Sequence, residues 1–142
     1  MRITLALAIF LIGLNSCKIE PGTIEYGKDG CHFCSMTIVD NQHASEIVTD
    51  KGKVFKYDAV ECMINDLKNH EEGSIGLMLV NNYSNPGELI PASTATYLIS
   101  KEIPSPMGAF LSAFNDEKEA SEIRQDKGGD LYDWQSIRDK IK

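Results

Sequence analysis

The chain has 142 residues, a formal net charge of −7 and four cysteines. A chain of this length forms one ordinary domain, or two very small ones that share a core. The acidic balance argues against a nucleic-acid partner and against a polybasic membrane-binding patch, because both depend on clustered positive charge.

The N-terminal segment has the layout of a secretory signal. Met1-Arg2 precedes an apolar run over residues 3–14, which is shorter than the roughly 20 apolar residues of a transmembrane helix. The run ends at Leu14-Asn15-Ser16-Cys17, which resembles the lipobox of bacterial lipoproteins, whose cysteine is lipidated and becomes the first mature residue. An ordinary signal peptide with a chance cysteine is the alternative, but no small-x-small cleavage site competes well with this one. We predict a lipoprotein signal peptide at residues 1–16 and lipidation at Cys17.

Residues 17–28 are predicted to be a tether between the lipid and the domain. They contain Pro21, Gly22 and Gly27 and little hydrophobic periodicity, as expected of a linker. The acyl chains of a lipoprotein are sufficient for stable anchoring. We therefore expect a domain at residues 29–142, held on a membrane of the cell envelope and facing the periplasm or the exterior.

The first part of the domain is predicted to contain strands and one helix. Three stretches are β-prone: Met36–Val39, Glu46–Thr49 and Lys53–Tyr57. Asp58 is predicted to open a helix, with Glu61 three residues later to help satisfy the free amides at its start. The following residues carry the apolar stripe of a half-buried helix, which ends near residues 69–73.

The second part repeats this order. Three further strands are predicted: Ser74–Val80, Thr94–Ser100 and Ala109–Phe114. Asp116 opens a second helix, with Glu119 three residues later, and Gly128-Gly129 ends it. A short strand at Leu131–Trp134 and a C-terminal helix follow. The pattern predicts an α+β protein of two similar small halves, about residues 29–73 and 74–142, each an antiparallel sheet with one helix.

The motif with the clearest chemistry is Cys31-His32-Phe33-Cys34-Ser35-Met36. A C-x-x-C pair can form a disulfide, act as a redox couple or bind metal. If Cys34 begins a strand, Cys34 and Met36 point to the same side, since residues two apart share a face. A thiolate and a thioether together suit the soft ion Cu(I), whereas a structural zinc site normally needs four Cys, His or carboxylate ligands.

A second methionine strengthens the copper interpretation. Met107 lies between Pro106 and Gly108, on a constrained loop of the kind that often carries ligands. An apolar plug is the alternative, because methionine fills gaps well. Cys62 is interpreted as a structural residue at the edge of the core.

Four other residues near the motif or on loops are less informative. His32 is either a further ligand or a group that raises the thiolate fraction of the motif, and Asp29 is a weak outer ligand or a turn residue. His43 is predicted, like His70, to lie on the surface.

Several segments together are similar to the NosL family of lipoproteins, which supply Cu(I) during maturation of nitrous-oxide reductase. They are Asp29-x-Cys31-x-x-Cys34-x-Met36, Pro106-Met107-Gly108, Ala113-Phe114 and Gly128-Gly129. The resemblance implies an α+β fold of two similar halves and Cu(I) ligation by Cys31, Cys34, Met36 and Met107. It also implies work beside a copper-site assembly machinery. Ser35 departs from the glycine that many members have at this position.

The leading hypothesis is a membrane-anchored Cu(I) metallochaperone without enzymatic turnover, with nitrous-oxide reductase as the expected client. A thiol-disulfide oxidoreductase that uses Cys31 and Cys34 is the main alternative. Against it, the motif shows no βαβ pattern and no helix start after Cys31 to lower its pKa. A structural lipoprotein stapled by a disulfide is the third possibility.

Overall fold

The computed structural model describes residues 18–141, so the predicted signal peptide and Cys17 lie outside the described residues. Seven strands and three helices follow one another in this range: β1 Ser45–Thr49, β2 Val54–Tyr57, α1 Val60–Asp66, β3 Ile75–Asn81, β4 Leu89–Pro91, β5 Thr96–Ile99, β6 Leu111–Phe114, α2 Glu117–Lys127, β7 Asp130–Tyr132 and α3 Trp134–Ile141. A 3-10 turn at Leu67–Asn69 extends α1. Within these residues, no helix is long and apolar enough to cross a membrane.

The strands form two antiparallel sheets with the same internal order. The first sheet has the order β2-β1-β3-β4 and the second has the order β6-β5-β7. In each, the first strand lies in the centre, a hairpin brings the second strand to one side, and the strand that follows a helix pairs on the other side. The predicted α+β architecture of two similar halves is therefore confirmed, with an additional strand, β4, in the first half and an additional helix, α3, in the second.

The boundary between the halves lies later than residue 73. β3, which sequence reasoning assigned to the second half, pairs with β1 from Ser45↔Val80 to Thr49↔Ile75. β4, which was not predicted, then adds to the outer side of β3. By strand pairing, the first half extends to Pro91, because β3 pairs with β1 and β4 pairs with β3.

The two sheets share one hydrophobic core. Buried residues from both halves form a single cluster that includes Ile47, Tyr57, Met63, Val80, Tyr97, Leu111 and Trp134. His43 also joins the halves: its side chain is buried and contacts Asp40 at 2.8 Å and Ser112 of β6 at 3.1 Å. The prediction that His43 lies on the surface is wrong, because this side chain bridges the two halves.

The folded part of the chain begins before residue 29. Ile24, in the segment predicted to be a tether, is 9% exposed and belongs to the shared core. The backbone N–H of Gly22 donates a 2.7 Å hydrogen bond to Glu46 on β1. This segment therefore packs along the first sheet, which its glycine and proline content did not indicate.

The helix ends differ in how closely they follow the sequence pattern. Asp116 caps α2, as predicted, by accepting the backbone N–H of Glu119 at 3.0 Å. At the start of α1 the predicted cap is wrong: Ala59 occupies the N-cap and no side chain caps the helix. At the end of α2, Gly129 has a φ of +102°, and a Cβ there would collide with the carbonyl oxygen of Ile99, which gives the second glycine of the pair a steric reason.

Candidate metal centre

The C-x-x-C motif lies on a tight loop rather than at the start of a strand. Instead of the predicted strand over residues 36–39, a single bridge joins Gly30 and Thr37. Within the loop, the N–H of Cys31 donates to Met36 O at 2.8 Å, and the N–H of Ser35 donates to Cys31 O at 2.9 Å. Ser35 has a φ of +64°, in the left-handed region that favours glycine. The serine thus occupies a position whose backbone explains a glycine preference.

Helix α1 brings a third cysteine to this loop. The Sγ atoms of Cys31, Cys34 and Cys62 all lie within 4.8 Å of one another. Cys62 is 1% exposed and Cys31 is 3% exposed, whereas Cys34 is partly exposed. The sequence interpretation of Cys62 was correct about burial but missed its place in the cluster. No motif spacing indicates it, because Cys62 lies 28 positions after Cys34 in the chain.

The surroundings of Cys31 favour its ionised form. Its pKa is lowered to about 4, first because the Cys62 thiol donates a hydrogen bond to it. Burial opposes this shift, but the backbone N–H groups of Cys34, Asp58 and Phe33 also point at the sulfur. Donors directed at a thiolate stabilise its charge without a neighbouring cation.

The other two cysteines are held in the thiol form. The pKa of Cys62 is raised, first because its thiol hydrogen-bonds to Cys31 and then by burial. The pKa of Cys34 is raised chiefly by burial. The metal-free cluster therefore contains one thiolate and two thiols, and a metal that binds all three sulfurs must displace the protons of the two thiols.

The Asp29 carboxyl group accepts hydrogen bonds from other parts of the first half. Its Oδ2 accepts the N–H of Glu25 at 2.7 Å and the Lys56 Nζ at 2.7 Å, and the hydrogen bond from Lys56 is the main cause of its lowered pKa. These bonds tie the start of the cysteine loop to β2. The turn interpretation of Asp29 accounts for its contacts.

His32 lies near the buried carboxyl group of Asp66, which also contacts other polar side chains. Its ring lies 4.5 Å from that of Phe55, and its Nε2 is 4.0 Å from Asp66. Asp66 also accepts the Tyr57 hydroxyl at 2.7 Å and lies 3.1 Å from His70. The prediction that His70 lies on the surface is wrong, because its side chain is only 8% exposed.

The network keeps Asp66 ionised. Burial opposes ionisation, but hydrogen bonds from Asn69, Tyr57 and His70 outweigh it and lower the pKa of this carboxyl. The charge is therefore stabilised by donors close to the cysteine loop.

The loop that carries Met107 lies against the first turn of α1. Ser105 Oγ donates a 2.6 Å hydrogen bond to Glu61 Oε1, and the N–H of Ala109 donates to the same oxygen at 3.3 Å. Glu61 immediately precedes Cys62 in the chain. Met107 itself is 40% exposed, so it does not plug the core. The fold thus brings this loop of the second half to the helix that supplies the third cysteine.

The arrangement has the chemistry of a soft-metal site. Three sulfurs within 4.8 Å of one another can converge on a single ion. Thiolate and thioether ligands select Cu(I) over harder ions. A structural zinc site would need a fourth Cys, His or carboxylate ligand, and within residues 18–141 the grouped residues of these types are the three cysteines.

Comparison with known proteins points to one family. The family model described as NosL matches residues 23–141. The copper-binding lipoprotein NosL of Stutzerimonas stutzeri is 25% identical over 150 residues, which cover 94% of this chain and 78% of that protein. The crystal structure of the copper chaperone NosL from Shewanella denitrificans superposes with a TM-score of 0.71 at 20% identity, covering 83% of this chain and 95% of that one. The structural likeness confirms the fold.

Proposed function

Because this chain belongs to the NosL family, we propose that it is a membrane-anchored metallochaperone that binds Cu(I) and delivers it to a copper enzyme of the cell envelope. The observation that carries the proposal is the convergence of three cysteine sulfurs within 4.8 Å. Two relatives are described as a copper-binding lipoprotein and a copper chaperone, which are descriptions of binding proteins.

The proposed site has inner and outer ligands. Cys31, Cys34 and Cys62 form the inner set, since their sulfurs are already grouped. The thioethers of Met36 and Met107 are the outer ligands, because their side chains are 53% and 40% exposed. A neutral thioether at the surface can accept Cu(I) from a donor without losing a proton, and it can be displaced by a client's ligand.

The gradient of exposure suits transfer. Copper at the buried end is shielded from water by Cys31 and Cys62, whereas Cys34 is reachable from outside. An incoming ligand can therefore replace the protein ligands one at a time, starting at the exposed side. A donor protein needs this combination of selectivity and lability.

The direct test is an anaerobic Cu(I) titration against a chromophoric chelator. We expect one Cu(I) per chain, with zinc competing poorly. A Cys31→Ser, Cys34→Ser double variant should lose high-affinity binding, whereas Met78→Leu, a change at a partly buried methionine packed on the core, should not. Full copper binding by the double variant, or equal affinity for zinc, contradicts the proposal.

Membrane attachment is proposed to occur through Cys17. Mass spectrometry of membrane-extracted protein should show an acylated N-terminal fragment that begins at this residue. A water-soluble mature protein with a free Cys17 thiol contradicts the anchor. Copper binding does not depend on the anchor, so the two parts of the proposal are tested separately.

The proposed client is nitrous-oxide reductase. The Cu(I)-loaded chain should transfer copper to apo nitrous-oxide reductase faster than free Cu(I) complexed at the same buffered activity does, and a gene for that enzyme should lie nearby. Transfer no faster than from the small-molecule complex contradicts this assignment and leaves copper binding intact.

One observation favours a second function. The lowered pKa of Cys31, about 4, makes this sulfur a thiolate at neutral pH next to Cys34, as a thiol-disulfide oxidoreductase requires. Such a protein would reduce or oxidise a disulfide substrate catalytically. A disulfide-exchange assay together with the copper titration therefore separates the two functions.

A further inference from the structure

Glu61 connects the two halves of the chain beside the cysteine cluster. Its side chain belongs to the first turn of α1 and is 4% exposed. A single oxygen, Oε1, accepts hydrogen bonds from Ser105 and Ala109, which belong to the second half. The carboxyl group of Glu61 therefore links the first turn of α1 to the second half.

The two donors bracket the exposed methionine. Ser105 lies two residues before Met107 and Ala109 lies two residues after it. The N–H of Gly108 closes the turn by donating to Ser105 O at 3.0 Å. Prolines at 104 and 106 further restrict the backbone. The loop is therefore short, stiff and attached at both ends to one carboxylate oxygen.

The same helical turn carries a cysteine of the cluster. Cys62 follows Glu61 directly, and its sulfur lies within 4.8 Å of the other two. The hydrogen bonds to Glu61 join the Met107 loop to the helical turn that carries Cys62. A residue of the first half thus contacts the loop on both sides of Met107.

We propose that Glu61 is a positioning residue for copper: it holds the Met107 thioether at the distance from the cysteine cluster at which both bind one ion. This inference rests on the proposed function, since it requires Cu(I) binding at the cysteines. Groups that orient metal ligands typically change metal affinity about 10–100-fold when they are removed.

The test is a set of substitutions measured by anaerobic Cu(I) competition. Glu61→Ala should weaken binding about tenfold or more, and Glu61→Gln, which keeps an acceptor oxygen, should recover most of the affinity. Met107→Leu should weaken binding to a similar extent, and the Glu61→Ala, Met107→Leu double variant should lose no more than either single variant. X-ray absorption at the copper edge should show the same loss of sulfur ligation in all three.

Glu46→Ala is the matched control. Glu46 is likewise a fully buried glutamate whose Oε1 accepts a backbone N–H, that of Gly22, but its partner belongs to the N-terminal segment. This variant should lower stability and leave Cu(I) affinity unchanged. Equal losses of copper affinity in Glu46→Ala and Glu61→Ala would show a merely structural effect and overturn the inference.

The remaining outcomes separate the inference from the proposed function. If the parent chain binds no Cu(I), the proposed function fails. If the parent chain binds Cu(I) and a folded Glu61→Ala variant binds it equally well, the positioning role is overturned and copper binding stands. The same holds if the losses of Cu(I) affinity in Glu61→Ala and Met107→Leu add in the double variant. Should Glu61→Ala not fold, Ser105→Ala decides, because it removes the hydrogen bond from Ser105 to Glu61 without changing α1, at the cost of the longer bond that the Leu111 N–H donates to Ser105 Oγ. Unchanged affinity there also overturns the inference.

Discussion

Copper loading should release protons, and the number released reports how many cysteines bind the ion. Cys31 is already ionised at neutral pH, because the hydrogen bond from Cys62 lowers its pKa to about 4. Cys62 and Cys34 are protonated, since the same hydrogen bond raises the pKa of Cys62 and burial raises that of Cys34. Binding by all three sulfurs should therefore expel about two protons per Cu(I) near neutral pH.

The sign and size of the pH dependence follow from this proton count. Groups whose pKa lies above the working pH must lose protons to bind, so affinity rises with pH and falls in acid. With about two protons released, the apparent association constant should rise about a hundredfold per pH unit, or about 2.7 kcal/mol. This regime extends from above the pKa of Cys31 up to the raised pKa values of Cys34 and Cys62.

Cys62→Ser tests the origin of the slope. The serine hydroxyl can still donate to Cys31, but it cannot ionise in this range, so only Cys34 loses a proton. The apparent association constant of Cys62→Ser should therefore increase only about tenfold per pH unit. The assay is anaerobic competition with a chelator at a series of pH values, corrected for the chelator's own protonation, with Met78→Leu as the control. A tenfold slope in the parent chain, or the same slope in both chains, would refute a three-cysteine site.

Three further changes probe separate parts of the molecule. Met107→Leu preserves size and should cost under about 1.5 kcal/mol in the metal-free form while weakening Cu(I) binding; unchanged affinity removes this thioether from the site. Tyr57→Phe deprives buried Asp66 of a donor and should cost about 1–3 kcal/mol in urea unfolding. Neighbouring donors outweigh burial and lower the pKa of Asp66. The loss of unfolding free energy caused by Tyr57→Phe should therefore be fully present at pH values above the ordinary carboxyl range and diminish as the pH falls through the lowered pKa. A loss that grows in acid contradicts this sign. Asp116→Ala removes the N-cap of α2 and should cost about 1 kcal/mol with no change in copper affinity, and a loss of copper affinity would show that α2 affects the site.

Local patterns in the sequence determined most of the elements and part of the site. The alternation at β2, the Asp116 cap and the Gly128-Gly129 end all depend on residues a few positions apart, and short-range stereochemistry decides such features. The C-x-x-C spacing likewise brought Cys31 and Cys34 together without reference to the rest of the chain. The order of strands followed by an Asp-x-x-Glu helix start occurs twice in the sequence. This recurrence predicted two similar halves, which the topology confirms.

Features that depend on long-range pairing were decided by the tertiary structure. The observed boundary between the halves differs from the predicted one because β3, which follows α1 in the chain, pairs with β1. His43 is buried because its side chain contacts β6, and the side chain of His70 is only 8% exposed because it lies against the buried Asp66 carboxylate. The polarity of these residues predicted exposure, but it carries no information about a distant partner.

The two acidic residues at the start of α1 show the limit most clearly. Asp58-x-x-Glu61 has the same spacing as Asp116-x-x-Glu119, and the spacing alone predicts a cap at both helices. At α2 the cap forms, whereas at α1 the Glu61 carboxylate bonds to a loop 44 residues away in the chain. The position of Cys62 also depends on long-range packing. The helix could turn any of several faces toward the core, and only its packing against the cysteine loop directs the Cys62 side chain to the other two sulfurs. The sequence by itself indicated the Cys31–Cys34 pair, and the tertiary structure decided that the sulfur of Cys62 joins it, because proximity across 28 positions of the chain is a property of packing.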